Sequence, residues 1–168
     1  WGLDTSELVT VWLALSPATP ESGCMRLLPG SHKGEVLPHT DAYDNDNMLT
    51  RGQEISVPID ELKTVAVELD PGQASLHNIR LAHASAPNRS GDRRIGLSMH
   101  YIPTCTKQLA ADWDSASLVR GEDRFHHFAP APRPAHDLDA EARRFHEKAT
   151  GAFRDILFKD ADRVRPTL

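Results

Sequence analysis

Cysteine is scarce, with Cys24 and Cys105 the only two in 168 residues. Two isolated thiols make neither a disulfide framework nor a zinc site of the usual spacing, so a reducing cytosol is the default setting and the expected localisation is cytoplasmic. Long apolar runs are missing too. Nothing approaches the roughly 20 residues of a membrane-spanning helix, and no signal-peptide pattern is visible. There is no basic excess, and a formal charge of −5 gives no reason to expect nucleic acid or an anionic membrane as a partner. The sequence has no G-x-S-x-G elbow, no P-loop and no G-x-G-x-x-G after a strand. Those absences set aside the hydrolases, NTPases and dinucleotide-binding enzymes that such motifs mark. No internal repeat is present.

What remains is an ordinary globular balance, 39% apolar and 26% charged, in a length that suits one domain with a real core. Residues 8–15 are rich in β-branched and aromatic side chains and read as a strand. Val9, Val11, Leu13 and Leu15 form one face of it, suited to the body of the core. Thr10, Trp12 and Ala14 form the other, suited to a pocket. Further short strands are expected at 24–28, stopped by Pro29-Gly30, and at 35–37, 54–59 and 64–69, the last ended by Asp70-Pro71-Gly72. The sheet continues at 73–77 and 81–84, with a break expected over 78–80. Residues 38–53 are polar and acidic and read as a long surface loop. Residues 104–134 are irregular. Residues 139–159 carry Ala142, Phe145, Ala149, Ala152, Phe153 and Ile156 at helical spacing, with Asp137 or Asp139 as the cap.

The densest chemistry lies in residues 76–101. Residues 93–102 read as a strand whose parity puts Ile95, Leu97, Met99 and Tyr101 on one face and Arg94, Gly96, Ser98 and His100 on the other. Asn88-Arg89-Ser90-Gly91-Asp92 supplies turn chemistry. A hairpin centred between Asn88 and Arg89 sets His83 opposite Arg94, with Ser85 on the same face. An imidazole, a hydroxyl and a guanidinium on one face suit a metal and a carboxylate-bearing cosubstrate.

The runs His83-Ala84-Ser85-Ala86-Pro87-Asn88, Thr10-Val11-Trp12-Leu13-Ala14-Leu15, Glu21-Ser22-Gly23-Cys24-Met25-Arg26 and Pro29-Gly30-Ser31-His32-Lys33-Gly34, together with Arg94, resemble in order and spacing the phytanoyl-CoA dioxygenase family. The resemblance covers residues 1–105 well and the tail weakly. It implies an all-β core, a double-stranded β-helix (jelly roll, cupin-like), with a C-terminal α-helix. Residues 1–105 are then an N-terminally truncated oxygenase core, and 106–168 an irregular extension and terminal helix of the same domain. It implies an Fe(II)/2-oxoglutarate-dependent dioxygenase that uses O2 and hydroxylates a small organic or acyl substrate. A small molecule is therefore the expected partner.

By the same resemblance His83 is the distal iron ligand, Arg94 and Ser85 hold the far carboxylate of 2-oxoglutarate, and Trp12 lies near that cosubstrate or fills core. Arg93 points to the other face, and a one-residue register slip swaps the two arginines. Ser98 and His100 support the metal site or face the substrate. The sequence opens on Trp1 and is read as a fragment; the family's His-x-Asp/Glu pair is expected about four to six residues upstream, completing a facial triad. Alone, the fragment is then expected to be inactive. An iron halogenase on the same fold, or a noncatalytic β-barrel binding module, are the alternatives, and the segment before Trp1 distinguishes them. His39-Thr40-Asp41 is literally a His-x-Asp, but its place in the acidic loop marks it as a decoy. His77 shares the parity of His83 only if no break intervenes, and His126-His127 reads as surface.

Overall fold

β-Branched Val9, Thr10 and Val11 and the aromatic Trp12 favour a pleated, half-buried surface, and they form β1 (Val9–Ala14). In the computed structural model, which describes residues 1–43 and 51–162, nine further strands follow, each short. They are β2 (Met25–Leu27), β3 (His39–Asp41), β4 (Gln53–Ile55), β5 (Val65–Val67), β6 (Ala74–Asn78), β7 (His83–Ser85), β8 (Gly96–Tyr101), β9 (Ser115–Ala116) and β10 (Ala129–Pro130). The helix α1 (Ala140–Phe158) comes last, and Asp139 caps it by accepting from the backbone N–H groups of Glu141 and Ala142. A mostly β chain with a C-terminal helix agrees with the expected class.

The chain divides into two compact units. One comprises Ser6–His39 and Ile55–Ile102. It contains two antiparallel three-stranded sheets, ordered β6-β1-β8 and β5-β2-β7. Leu8, Ala14, Ala18, Cys24 and Met25 are its buried apolar residues. Pro29-Gly30 stops β2, with Gly30 at φ 86°, and a 3-10 turn over Ser31–Lys33 follows. Asp70-Pro71-Gly72 turns the chain into β6, with the Gln73 N–H donating to the Asp70 carbonyl. The other unit comprises Trp1–Thr5, Thr40–Glu54 and Pro103–Leu168. There the ring of Trp1 packs on Phe153 and that of Trp113 on Phe145.

Four expectations need correction. Residues 35–37 form no strand; the extended segment is β3, two residues further on, and the Gly34-to-Pro38 stretch lines an open groove instead. Residues 38–53 are not one loop, since β3 and β4 pair within them; Asp44 and Asp46 lie outside the described residues. The hairpin is absent. His83 pairs with Leu27 on β2, while β8 pairs with β1, so residues 86–95 cross between sheets. Asn88 explains the crossing. Its side chain bonds the Ser90 N–H and the Asp92 carbonyl, closing a loop on itself where a two-residue hairpin turn was expected. Finally, on β1 and β6 the face meant for the core is the more open one, while β8 is exposed on both faces apart from half-buried Met99. Leu15, Leu76 and Leu97 are 55%, 70% and 48% exposed, whereas Thr10 and Ala14 on the other face are 8% and 0% exposed.

Parity itself holds. Thr10 lies between His77 and His100, and Trp12 between Ser75 and Ser98. The Trp12 ring lies over Gly96, where a Cβ would collide with it. Gly96→Ala should therefore destabilise the chain by about 1–3 kcal/mol, the cost typical of overpacking. Gly91→Ala, at a site with open space around it, should leave the urea midpoint almost unchanged. Equal midpoints for the two variants would contradict the packing of Trp12 on Gly96.

Candidate functional site

β7 is held at its entry by the turn after β2. The Leu28 N–H donates to the Ala82 carbonyl at 2.9 Å, and the Ala82 N–H donates to Ser31 Oγ at 2.8 Å. Ser31 of the Pro29–Gly34 motif thus fixes the residue before His83. Asn78 makes the break that separates β6 from β7, its side chain accepting from the Arg80 N–H and its carbonyl from the Leu81 N–H.

His83 Nδ1 lies 2.8 Å from the Leu81 carbonyl. A carbonyl only accepts, so Nδ1 carries the proton and the Nε2 lone pair is left for a ligand. Metal-binding histidines are commonly oriented in this way. His83 is exposed on β7, as is Ser85 two residues on, so both ends of the strand are accessible.

Arg94 precedes β8 and is not opposite His83; it stands against Trp12 instead. Its guanidinium lies 5.4 Å from the centroid of the Trp12 ring, within range of a cation–π contact. Its charge is also felt at Cys24, where it lowers a thiol pKa that burial, the largest cause, raises. Cys24 adjoins Met25, and Met25 pairs with Ser85. Arg94 and Trp12 are thereby brought together by a route other than the expected hairpin, while Ser85 lies on β7 opposite Met25.

The imidazoles of His77 and His83 lie 5.4 Å apart, centroid to centroid. His77 is 7% exposed, and burial above all, then the charges of His83 and His100, push its pKa down. His100 Nδ1 lies 3.1 Å from Thr10 Oγ1. Sequence reasoning set His77 aside because of the break at 78–80. The break is real, but the fold returns His77 to His83 from the neighbouring sheet. Ser75 was missed altogether, although the alternation of Ser75 and His77 with Ala74 and Leu76 is the pattern of a strand with a polar face.

Among the described residues no cluster of three or more His, Cys, Asp or Glu side chains is placed to hold a metal. His39-Thr40-Asp41 lies on β3, a correction to its placement in a loop, but Asp41 is engaged elsewhere. Arg51 donates to one Asp41 oxygen through Nε at 2.9 Å and Nη2 at 2.6 Å, and Tyr43 adds a third bond. No helix among the described residues is long and apolar enough to cross a membrane.

The family model for phytanoyl-CoA dioxygenase (PhyH) matches residues 2–96. A probable phytanoyl-CoA dioxygenase of Caenorhabditis elegans is 30% identical over 90 residues, covering 54% of this chain and 29% of that protein. A probable alpha-ketoglutarate-dependent hypophosphite dioxygenase of Stutzerimonas stutzeri is 33% identical over 100 residues, covering 56% and 34%. The chain therefore spans about a third of the length of these relatives. Among solved structures, the apo form of the non-heme monooxygenase ThoJ superposes with a TM-score of 0.79 at 38% identity, over 93% of this chain and 56% of that one. The ThoJ nickel complex superposes at 0.73 with 32% identity.

The Asp41–Arg51 pair has a pH signature. The Arg51 hydrogen bonds, the largest cause, hold the Asp41 carboxyl below its ordinary 3.8. A lowered folded-state pKa stabilises above the unfolded value, and that stability is lost as pH falls through the folded one. Asp41→Asn should lower Tm near neutrality by about 2–4 °C, the shift expected for ~1 kcal/mol in a chain of this size. The gap from the parent should close under acid, well below 3.8. A gap that persists there would mean the pair contributes nothing through its charge.

Proposed function

Because this chain belongs to the phytanoyl-CoA dioxygenase family, we propose that it forms the distal part of the active site of an Fe(II)/2-oxoglutarate-dependent oxygenase with a jelly-roll core, acting on a small organic or acyl substrate. Iron, when bound, supplies dioxygen activation coupled to oxidative decarboxylation of 2-oxoglutarate, giving succinate, carbon dioxide and a hydroxylated product.

The observation that carries this reading is the His83 tautomer. With Nδ1–H given to the Leu81 carbonyl, the ring offers Nε2 as a neutral donor, which suits Fe(II). The remaining donors of a facial triad lie outside the described residues in this reading. Arg94 binds the far carboxylate of 2-oxoglutarate bidentately, a geometry lysine does not offer, and Ser85 donates its hydroxyl to the same group. Trp12 holds the Arg94 guanidinium from one side, which cuts the rotamer freedom lost on binding. Arg93 is the internal control, exposed and of opposite parity.

Two outcomes follow. In the protein carrying this chain, Arg94→Ala should raise the 2-oxoglutarate concentration needed for half-maximal turnover by about 10²-fold, the loss of a charge-assisted bidentate pair of ~3 kcal/mol, while Arg93→Ala changes it little. Equal effects would refute the assignment of Arg94. The 168-residue chain by itself should bind Fe(II) weakly and release no succinate. Robust turnover by that chain would mean that a complete ligand set lies within it.

A further inference from the structure

The face of β6-β1-β8 that is turned from the exposed apolar side carries Ser75, His77, Thr10, Trp12, Ser98 and His100 in register. Two atoms on it stand apart. Ser75 Oγ and His77 Nδ1 are buried and have no hydrogen-bond partner among the described residues. They belong to residues i and i+2 of one strand, so they point to the same side. His77 is 93% removed from solvent by its 7% exposure, and its ring sits 5.4 Å from that of His83.

Buried polar atoms are normally satisfied, and two orphans on one strand face, one of them in the ring packed near His83, call for a partner that arrives from outside the chain. We propose that Ser75 and His77 form the subsite for the reacting end of the substrate, and that this end is uncharged and hydroxylated rather than a hydrocarbon chain.

The chemistry of these two atoms selects that class. A serine hydroxyl both donates and accepts, and a neutral imidazole nitrogen does one or the other by choice of tautomer. Substrate hydroxyls have the same dual capacity and fit either arrangement. An alkyl chain laid on this face would desolvate both atoms and satisfy neither. An anionic group would have to draw on Arg94, which stands over Trp12 and is assigned to the cosubstrate. Thr10 does not compete for the subsite, because its hydroxyl is already paired with His100 at 3.1 Å.

The proposal rests on the oxygenase reading above, and its test keeps the two apart. The protein carrying this chain is loaded with Ni(II), which stands in for iron without turnover, and with 2-oxoglutarate. Binding is then followed by calorimetry. Methyl glucoside and myo-inositol serve as hydroxylated probes and octanoyl-CoA as the acyl probe. At least one hydroxylated probe should bind saturably. Ser75→Ala and His77→Leu should each weaken it by about tenfold, the effect of one lost hydrogen bond in a buried site. His77→Gln should retain most of the affinity, and 2-oxoglutarate affinity should stay constant throughout. The proposal is overturned if neither hydroxylated probe saturates, or if octanoyl-CoA binds and His77→Leu tightens it. Failed probes with Arg94-dependent 2-oxoglutarate binding would remove the subsite and leave the oxygenase reading intact. Absence of 2-oxoglutarate binding in the parent protein would remove that reading itself.

Discussion

A strand paired on both sides has no freedom to slip, because a one-residue shift would turn every side chain to the opposite face in two ladders at once. β1 is such a strand. Antiparallel pairing with β6 and β8 sets Thr10 between His77 and His100, and Trp12 between Ser75 and Ser98. Each residue of consequence on this sheet takes its position from that double register. Gly96 is part of the constraint, since only the absence of a side chain there leaves room for the Trp12 ring, whose face Arg94 stands over. Packing, here, determines where a charge stands.

The second sheet contributes differently. β7 is only three residues long, too short to fix its own side chains by pairing alone. It is tied instead at each end. The Ser31 hydroxyl and the Leu28 N–H grip Ala82, and beyond Ser85 the chain passes so close to Gly23 that a Cβ there would strike the Ala86 carbonyl. Gly23 adopts φ 73°, a conformation that glycine reaches without strain. Two motifs that look unrelated in sequence, the Gly23 run and the Ser31 turn, therefore act on one short strand and hold His83 and Ser85 steady.

These devices explain what could be read from the sequence. Period-2 alternation is local, so β1, β8 and their faces were legible from residues 8–15 and 93–102, and so were the helix and its Asp139 cap. Which strands pair is not local. Asn88 reads as a hairpin turn because asparagine serves tight turns and longer self-bonded loops alike, and only the tertiary fold separates His83 from the strand that follows it. The same limit hid His77. A break in the chain ends a parity argument, yet two sheets packed together can reunite residues that the break divides. Burial was also misjudged, since alternation marks a sheet's apolar face without saying which face this chain covers.

That inversion bears on chemistry. The apolar side of β6-β1-β8 is largely open, and the other side holds three hydroxyl residues, two imidazoles and an indole with an arginine above it, with Thr10 and His77 buried and Ser98 and His100 exposed. Covering a polar face costs free energy unless its atoms find partners. Some do, as in the Thr10–His100 contact. The atoms that do not are Ser75 Oγ and His77 Nδ1, the latter in a ring 5.4 Å from that of His83. A fold shaped for stability alone would have placed aliphatic side chains at both positions, as it does at Ala14 on the same face. The polar choice is costly in the empty state and becomes favourable when a hydrogen-bonding ligand enters. It also rejects ligands that lack such groups, because they would leave both atoms unpaired. Affinity and selectivity at this face thus come from the same two unsatisfied atoms.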